Sequence, residues 1–344
     1  MPHSHPPPFL PWGAQALWDQ LVPLLPGLSV EVMPKVDSTN TQLLERARSF
    51  SGQRDAPVTR PGQLDTLPRD GRTPHGRRAG DVSPCLLVAE TQTRGRGRMG
   101  RGWQSSAGAS LTFSLALPLA PVQWGGLSLA VGLALAEALE PVKAAANMSG
   151  SGVWVPGSAP RLALKWPNDL WLRDTPGAAP SENKLGRKLG GILIETVSVG
   201  EHRVCVVGVG LNVLPQATEG LAHGYACLQE LDTRVTAPAV LARVALPLVQ
   251  ALRSFEKQGF APLVGAYQRR DLLVGQPVSV SAPQALVGVA EGVDEQGGLR
   301  LRSRGSADPQ GPQRAGQADG SPPPEEWHRV VSGEVSVQLQ TGLA

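Results

Sequence analysis

Polar and apolar positions follow two rhythms along this chain, and the rhythm changes once. Ser29–Val36, SVEVMPKV, reads as a strand rich in valine. Asp37-Ser38-Thr39-Asn40 then opens a helix, with Thr39 and Gln42 spaced as a capping box and Leu43, Leu44, Ala47 and Phe50 on one face. Residues 85–89 are continuously apolar, as in a buried strand. In 110–117, Leu111, Phe113, Leu115 and Leu117 alternate onto one face. Residues 124–140 are apolar nearly all round, the pattern of a helix buried against a sheet. Residues 161–166, 188–196 and 204–213 are further strands, and 236–258 form a long helix capped by Thr236 and bent at Pro247. After Asp271 only short strands and tight turns remain, at 276–280, 287–293, 299–302 and 330–339. The change of rhythm predicts an N-terminal extension over 1–28, an α+β domain over 29–270 and a small all-β barrel over 271–344.

Two stretches break the rhythm altogether. Residues 51–84 hold no aromatic side chain, and their arginines are answered by aspartates (Arg54/Asp55, Arg69/Asp70). Residues 303–326 offer alanine as their only apolar type. Neither can bury enough surface to offset the entropy of ordering, so both read as disordered insertions; 144–160 and 175–184 look similar. Glycine (40) and proline (32) make up about a fifth of the 344 residues, short of a low-complexity chain. Charge is nearly balanced, 32 Lys+Arg against 29 Asp+Glu, which gives bulk electrostatics no reason to favour nucleic acid or a membrane surface. No apolar run reaches 18 residues, and MPHSHPPPFLPWG lacks the basic start of a signal peptide. Cys85, Cys205 and Cys227 form neither a disulfide framework nor a zinc spacing and read as buried reduced thiols. A cytoplasmic protein with no membrane partner is expected.

The chemistry concentrates in four places. Residues 90–103, ETQTRGRGRMGRGW, interleave four arginines with four glycines directly after a strand. Glycines let backbone N–H groups approach an anion, and arginine forks bind phosphate or carboxylate bidentately. Gly95, Gly97 and Gly100 match G-x-G-x-x-G, but that fingerprint should open a helix, and here a strand follows. No Gly-Lys-Ser/Thr phosphate loop occurs. An RNA-binding arginine–glycine segment would repeat, whereas this motif occurs once, between two strands. Lys165-Trp166-Pro167-Asn168-Asp169 reads alone as a structural turn. Lys188-Leu-Gly-Gly-Ile-Leu-Ile-Glu195 sets a lysine at the mouth of an apolar strand, alone a solvated strand end. Gly208-Val-Gly-Leu-Asn-Val213 thins a core strand with glycine. Together they outline a cleft for an anionic ligand on one face of a sheet.

The order DSTN, GRGRxGRxW, KWPND, KLxGILxE and GxGxNV resembles the biotin–protein ligases (biotin–[acetyl-CoA-carboxylase] ligases). The likeness runs from Val30 to Leu339, interrupted at the insertions, and five ordered motifs make it specific. It implies a mixed-sheet, class II synthetase-like catalytic domain followed by an SH3-like β-barrel. It implies that biotin attacks the α-phosphorus of ATP, carried with Mg2+, to give biotinyl-5′-AMP, and that a lysine of a biotin carboxyl carrier protein then displaces AMP. By the same likeness Ser38, Thr39, Asn40 and Gln92 would hold the ring end of biotin, and Gly95, Arg96, Gly97 and Arg98 would close over biotin and phosphate. Arg101 and Trp103 would fix the adenylate, and Lys188 would contact phosphate and carboxylate. Asp169 would orient the acceptor lysine, and Asn212 and Tyr225, in Gly-aromatic-x-x-Leu-Gln-Glu, would border adenine. Fewer than 30 residues precede the first strand, too few for the helix-turn-helix domain of many members, so no specific DNA binding is expected. Gln338 stands where an arginine is expected. A homodimer is left open. A lipoate or other acyl-adenylate transferase would lack the arginine loop, and a nucleic-acid-binding regulator would need a basic face.

Overall fold

The computed structural model describes residues 10–51, 82–141, 160–174, 185–216, 224–281, 286–304, 325–331 and 336–339. Apart from their ends, the expected insertions lie outside the described residues.

The chain opens with α1 (Ala14–Leu21), β1 (Ser29–Val36) and α2 (Thr39–Ser51). β2 (Cys85–Gln92) leads into a small hairpin, β3 (Gly95–Arg96) and β4 (Gly102–Trp103), then β5 (Ser110–Pro118) and α3 (Leu127–Leu139). β6 (Leu162–Lys165), β7 (Asp169–Leu172), β8 (Arg187–Val199) and β9 (His202–Asn212) follow as successive antiparallel neighbours. After α4 (Ala237–Gln258) and α5 (Val264–Gln268) come β10 (Pro277–Ser281), β11 (Leu286–Val293), β12 (Leu299–Arg304), β13 (Glu325–Val330) and β14 (Ser336–Leu339).

Seven strands form one mixed sheet in the order β1-β2-β5-β9-β8-β7-β6, parallel at β1–β2 and antiparallel elsewhere. Its large core joins β5, β8 and β9 to α1, α3 and α4. α2 covers the other face, where Leu43 and Leu44 pack on Leu87, Ala116 and Val206. The alternation at 110–117 predicts one buried face on β5. Both are buried, because α2 lies over Ser114 and Ala116 while Leu111 and Phe113 enter the main core. α4 begins after Thr236, whose side chain accepts from Ala239 N, and runs on through Pro247.

Four local readings change. The cap of α2 is Ser38, whose Oγ accepts from Thr41 N at 3.4 Å, while Gln42 Nε2 donates to Asp37 Oδ1 at 3.0 Å. Thr39 is therefore not the cap, and its side chain serves the cleft instead. The segment set aside as an N-terminal extension includes α1, with Trp12, Leu17, Leu21, Leu25 and Leu28 in the main core. The region after Asp271 forms a five-stranded antiparallel sheet, β13-β12-β11-β10-β14, which is open among the described residues where a closed barrel was expected. β12 and β13 also run into the span expected as an insertion. Ser303 pairs with Glu326, and Arg302 bridges Glu291 and Glu325 at 2.8 and 2.7 Å.

The C-terminal region steadies the sheet edge that carries the site. Leu164 N donates to Arg270 O and Leu272 N to Leu164 O, while Trp166 Nε1 donates to Gly297 O at 2.9 Å. These bonds fix the end of β6, where the turn into β7 begins. All three cysteines are buried and none forms a disulfide. Among the described residues, no helix is long and apolar enough to cross a membrane.

Candidate active site

The site begins where the sheet runs out. The ends of β2, β8 and β9, the start of α2, the β3–β4 hairpin and the β6–β7 turn enclose a cavity of about 610 Å3. Every residue singled out from the sequence lines it: Ser38, Thr39, Asn40 and Gln92 at one end, Gly95, Arg96, Gly97, Arg98, Arg101 and Trp103 along the hairpin. Asp169, Lys188, Asn212 and Tyr225 lie across from them.

The first end is a network of short hydrogen bonds. Gln92 Oε1 accepts from Thr39 N at 2.7 Å. Ser114 Oγ lies 2.6 Å from both Thr39 Oγ1 and Asn40 Oδ1. Asn40 Nδ2 donates to Leu193 O and to Glu195 Oε2. Glycine makes room for it. A Cβ on Gly208 would lie 2.8 Å from Asn40 Cγ and closer still to Oδ1, and one on Gly210 would lie 2.5 Å from the Trp103 ring. Gly208→Ala is expected to displace Asn40 and cost about 1–3 kcal/mol, seen as a lowered unfolding midpoint. Gly102→Ala, which meets nothing within 4 Å, should leave that midpoint in place.

The arginine loop is a hairpin with one 3-10 turn at Arg98–Gly100 and opens no α-helix, which disposes of the dinucleotide fingerprint. Gly97 N donates to Arg101 O and Arg101 N to Arg98 O, and the tip turns through Met99 (φ 56°) and Gly100 (φ 73°). Arg96 pairs with Glu195 at 2.7 Å, and burial lowers the Arg98 pKa against the opposing pull of Asp169. The Trp103 Nε1 donor is buried with no hydrogen-bond partner among the described residues.

Cations gather at the other end. Lys188 Nζ lies 2.7 Å from Asp169 Oδ1. Lys165 is only 6% exposed and sits 4.6 Å from the Trp171 ring centroid, and burial pulls its pKa down to about 8. Asn212 Nδ2 donates to Ala226 O at 2.9 Å, stapling the 224–226 segment beside β8. Tyr225 Oη donates to Leu214 O at 2.6 Å and accepts from Gln216 Nε2, and burial pushes its pKa up to about 12. Lys165, Ser114, Glu195 and Gln216 did not enter the sequence-derived site. Lys165 and Glu195 sit inside motifs already marked, whereas Ser114 and Gln216 carry no local signal.

A cleft with hydrogen-bonding groups at one end and crowded cations at the other defines a site for a ligand with a polar head and an anionic centre. A model of the biotin/lipoate A/B protein ligase family matches residues 80–212. The chain is 31% identical to the bifunctional ligase/repressor BirA of Escherichia coli over 84% of its own length and 74% of that protein's. It is 34% identical to the biotin–[acetyl-CoA-carboxylase] ligase of Mycobacterium tuberculosis over 85% and 90%. Among solved structures, the biotin protein ligase of Aquifex aeolicus in complex with biotin and ATP superposes with a TM-score of 0.57, at 22% identity, over 90% of this chain and 99% of that one. The protein belongs to the biotin/lipoate A/B protein ligase family, within which these relatives are biotin ligases.

Proposed function

We propose that this protein activates biotin with ATP to biotinyl-5′-AMP and transfers biotin to a lysine of a biotin carboxyl carrier protein. The observation that carries the reading is the placement of all five motifs around one cavity, polar groups at one end and cations at the other. In the first step a carboxylate oxygen of biotin bonds to the α-phosphorus and pyrophosphate leaves. In the second the acceptor amine attacks the carbonyl carbon, AMP leaves and the amine loses a proton. Both reactants of the first step are anions, so cations around the reacting centre lower the barrier. Lys188 and Arg98 take that role, with Arg96 and Arg101 on the hairpin, and Trp103 Nε1 offers its unused donor to the adenylate. Ser38, Thr39, Asn40 and Gln92 hold the head of biotin. Asp169 orients the incoming lysine, and Tyr225 walls the adenine side.

Mg2+ enters with ATP as part of the substrate. Asp169 is the one carboxylate among the described lining residues, a donor set suited to an ion held mainly on phosphate oxygens. The C-terminal sheet is an SH3-like unit in this reading, with the domain boundary near Arg270.

The test is purified protein with ATP, Mg2+, biotin and a carrier domain, read by streptavidin blot. Labelling with lipoate and none with biotin would overturn the reading.

Lys165 gives it a pH signature. Its ammonium faces the cleft among Asp169, Lys188 and Arg101, and it loses its proton near pH 8 in the folded enzyme. kcat/KM for ATP should therefore fall as pH rises through about 8, and Lys165→Met should flatten that limb. The sign for stability is opposite. Between about pH 8 and 10.5 the unfolded chain holds the proton that the folded one has lost, so folding gains as pH rises.

A further inference from the structure

Glu195 closes the KLxGILxE motif on β8, outside the residues that line the cleft, yet both of its oxygens point into the site's machinery. Oε2 accepts from Asn40 Nδ2 at 3.0 Å and Oε1 from Arg96 at 2.7 Å, while Arg96 also donates to Thr41 Oγ1. One carboxylate thus joins the start of α2 to the arginine hairpin.

The proton inventory makes this more than a brace. Asn40 Nδ2 faces two groups that only accept, Glu195 and Leu193 O, so its amide has one orientation and Oδ1 must face Ser114. Oδ1 brings no proton to that 2.6 Å contact, so the Ser114 hydroxyl supplies it. Ser114 has no second proton for its 2.6 Å contact with Thr39, so the Thr39 hydroxyl supplies that one in preference to its longer 3.2 Å contact with Gln92 Oε1. The chain runs one way, Thr39 to Ser114 to Asn40 to Glu195, and ends on a charge. Thr39 is left presenting lone pairs to the cavity it lines. Charge-assisted chains polarise each member in the same sense.

We propose that Glu195 is a positioning residue that sets the direction of this hydroxyl chain, so that the cleft at Thr39 accepts hydrogen bonds and selects a ligand head carrying N–H donors. The inference rests on the biotin reading, since a ureido ring supplies such donors and a dithiolane ring supplies none. In Glu195→Gln the side-chain amide must offer a donor to Asn40 or to Arg96. Either choice opposes an existing donor and removes the anchor of the chain. Arg96 keeps Thr41 as a partner, so the hairpin retains one of its two ties.

A double-mutant cycle on biotin affinity, measured calorimetrically, tests this on the full chain with Glu195→Gln, Thr39→Val and the pair. Each single variant should bind biotin about tenfold more weakly, as loss of one polar contact of about 1.4 kcal/mol predicts. The pair should be less than threefold worse than Thr39→Val alone, because Glu195 acts through Thr39. Ser114→Ala, which cuts the chain between them, should likewise abolish most of the effect of Glu195→Gln. Glu195→Gln should keep a single cooperative unfolding transition and the far-UV circular dichroism of the wild type, a result that a collapsed fold would not give. If the two effects simply add, Glu195 does not act through the chain and the proposal falls. If wild type fails to bind biotin at all, the functional reading itself falls.

Discussion

Lys188→Ala should form biotinyl-AMP about 10²–10³-fold more slowly than the wild type, the loss expected when one preorganised charge is removed from a reacting centre. Lys188 stands in β8 where the strand opens onto the cleft, 2.7 Å from Asp169. Its side chain is 29% exposed, and an ion pair at that depth contributes little to folding. The unfolding midpoint should therefore stay within a degree or two of the wild type, on the order of the small ΔΔG involved. The backbone around it is held independently, by the bond from Ala226 N to Lys188 O and by the β8–β9 ladder. Single-turnover adenylate formation with excess ATP reads the chemical step directly. A wild-type rate would return Lys188 to the role of a solvated strand end.

The parts of this protein legible in its sequence are those governed by local rules. β1, α4 and the glycine-thinned β9 follow from short-range periodicity and capping, and the five motifs fell around one cavity because strand ends of one sheet converge. What escaped was set by tertiary contacts. Ser114 reads as an ordinary polar position in an alternating strand, and only the placement of α2 over β5 turns it into a hydrogen-bonding partner of Thr39 and Asn40. β7 was hidden because Trp166-Pro167-Asn168 signals a turn, which it is, while Leu170, Trp171 and Leu172 are too few to show a period. Helix α1 did leave a trace, Leu17 and Leu21 at four-residue spacing, obscured by the prolines on both sides. Closure of the C-terminal sheet depends on long-range pairing of edge strands, about which alternation within each strand is silent.

Arg98→Gly should still consume ATP but release its intermediate. Biotinyl-AMP is an activated anhydride that hydrolyses or acylates stray lysines once free, so an enzyme that makes it must also hold it. The hairpin supplies the cover, and its turn is built from backbone bonds, Gly97 N to Arg101 O and Arg101 N to Arg98 O, which need no side chain at 98. Substitution by glycine therefore removes the guanidinium while leaving the scaffold of the loop. That guanidinium is partly desolvated, with Asp169 and Arg101 near enough to act on it, a setting in which a bound phosphate would relieve the repulsion between the two arginines. A charge-assisted contact of about 1.5–3 kcal/mol corresponds to a roughly ten- to hundred-fold faster loss of the adenylate. Dissociation of radiolabelled biotinyl-AMP from variant and wild type measures it, and the variant should also biotinylate bystander proteins that carry no acceptor domain. Equal dissociation rates would show that Arg98 is only a solvated cation on the loop and that the intermediate is retained by other groups of the cleft.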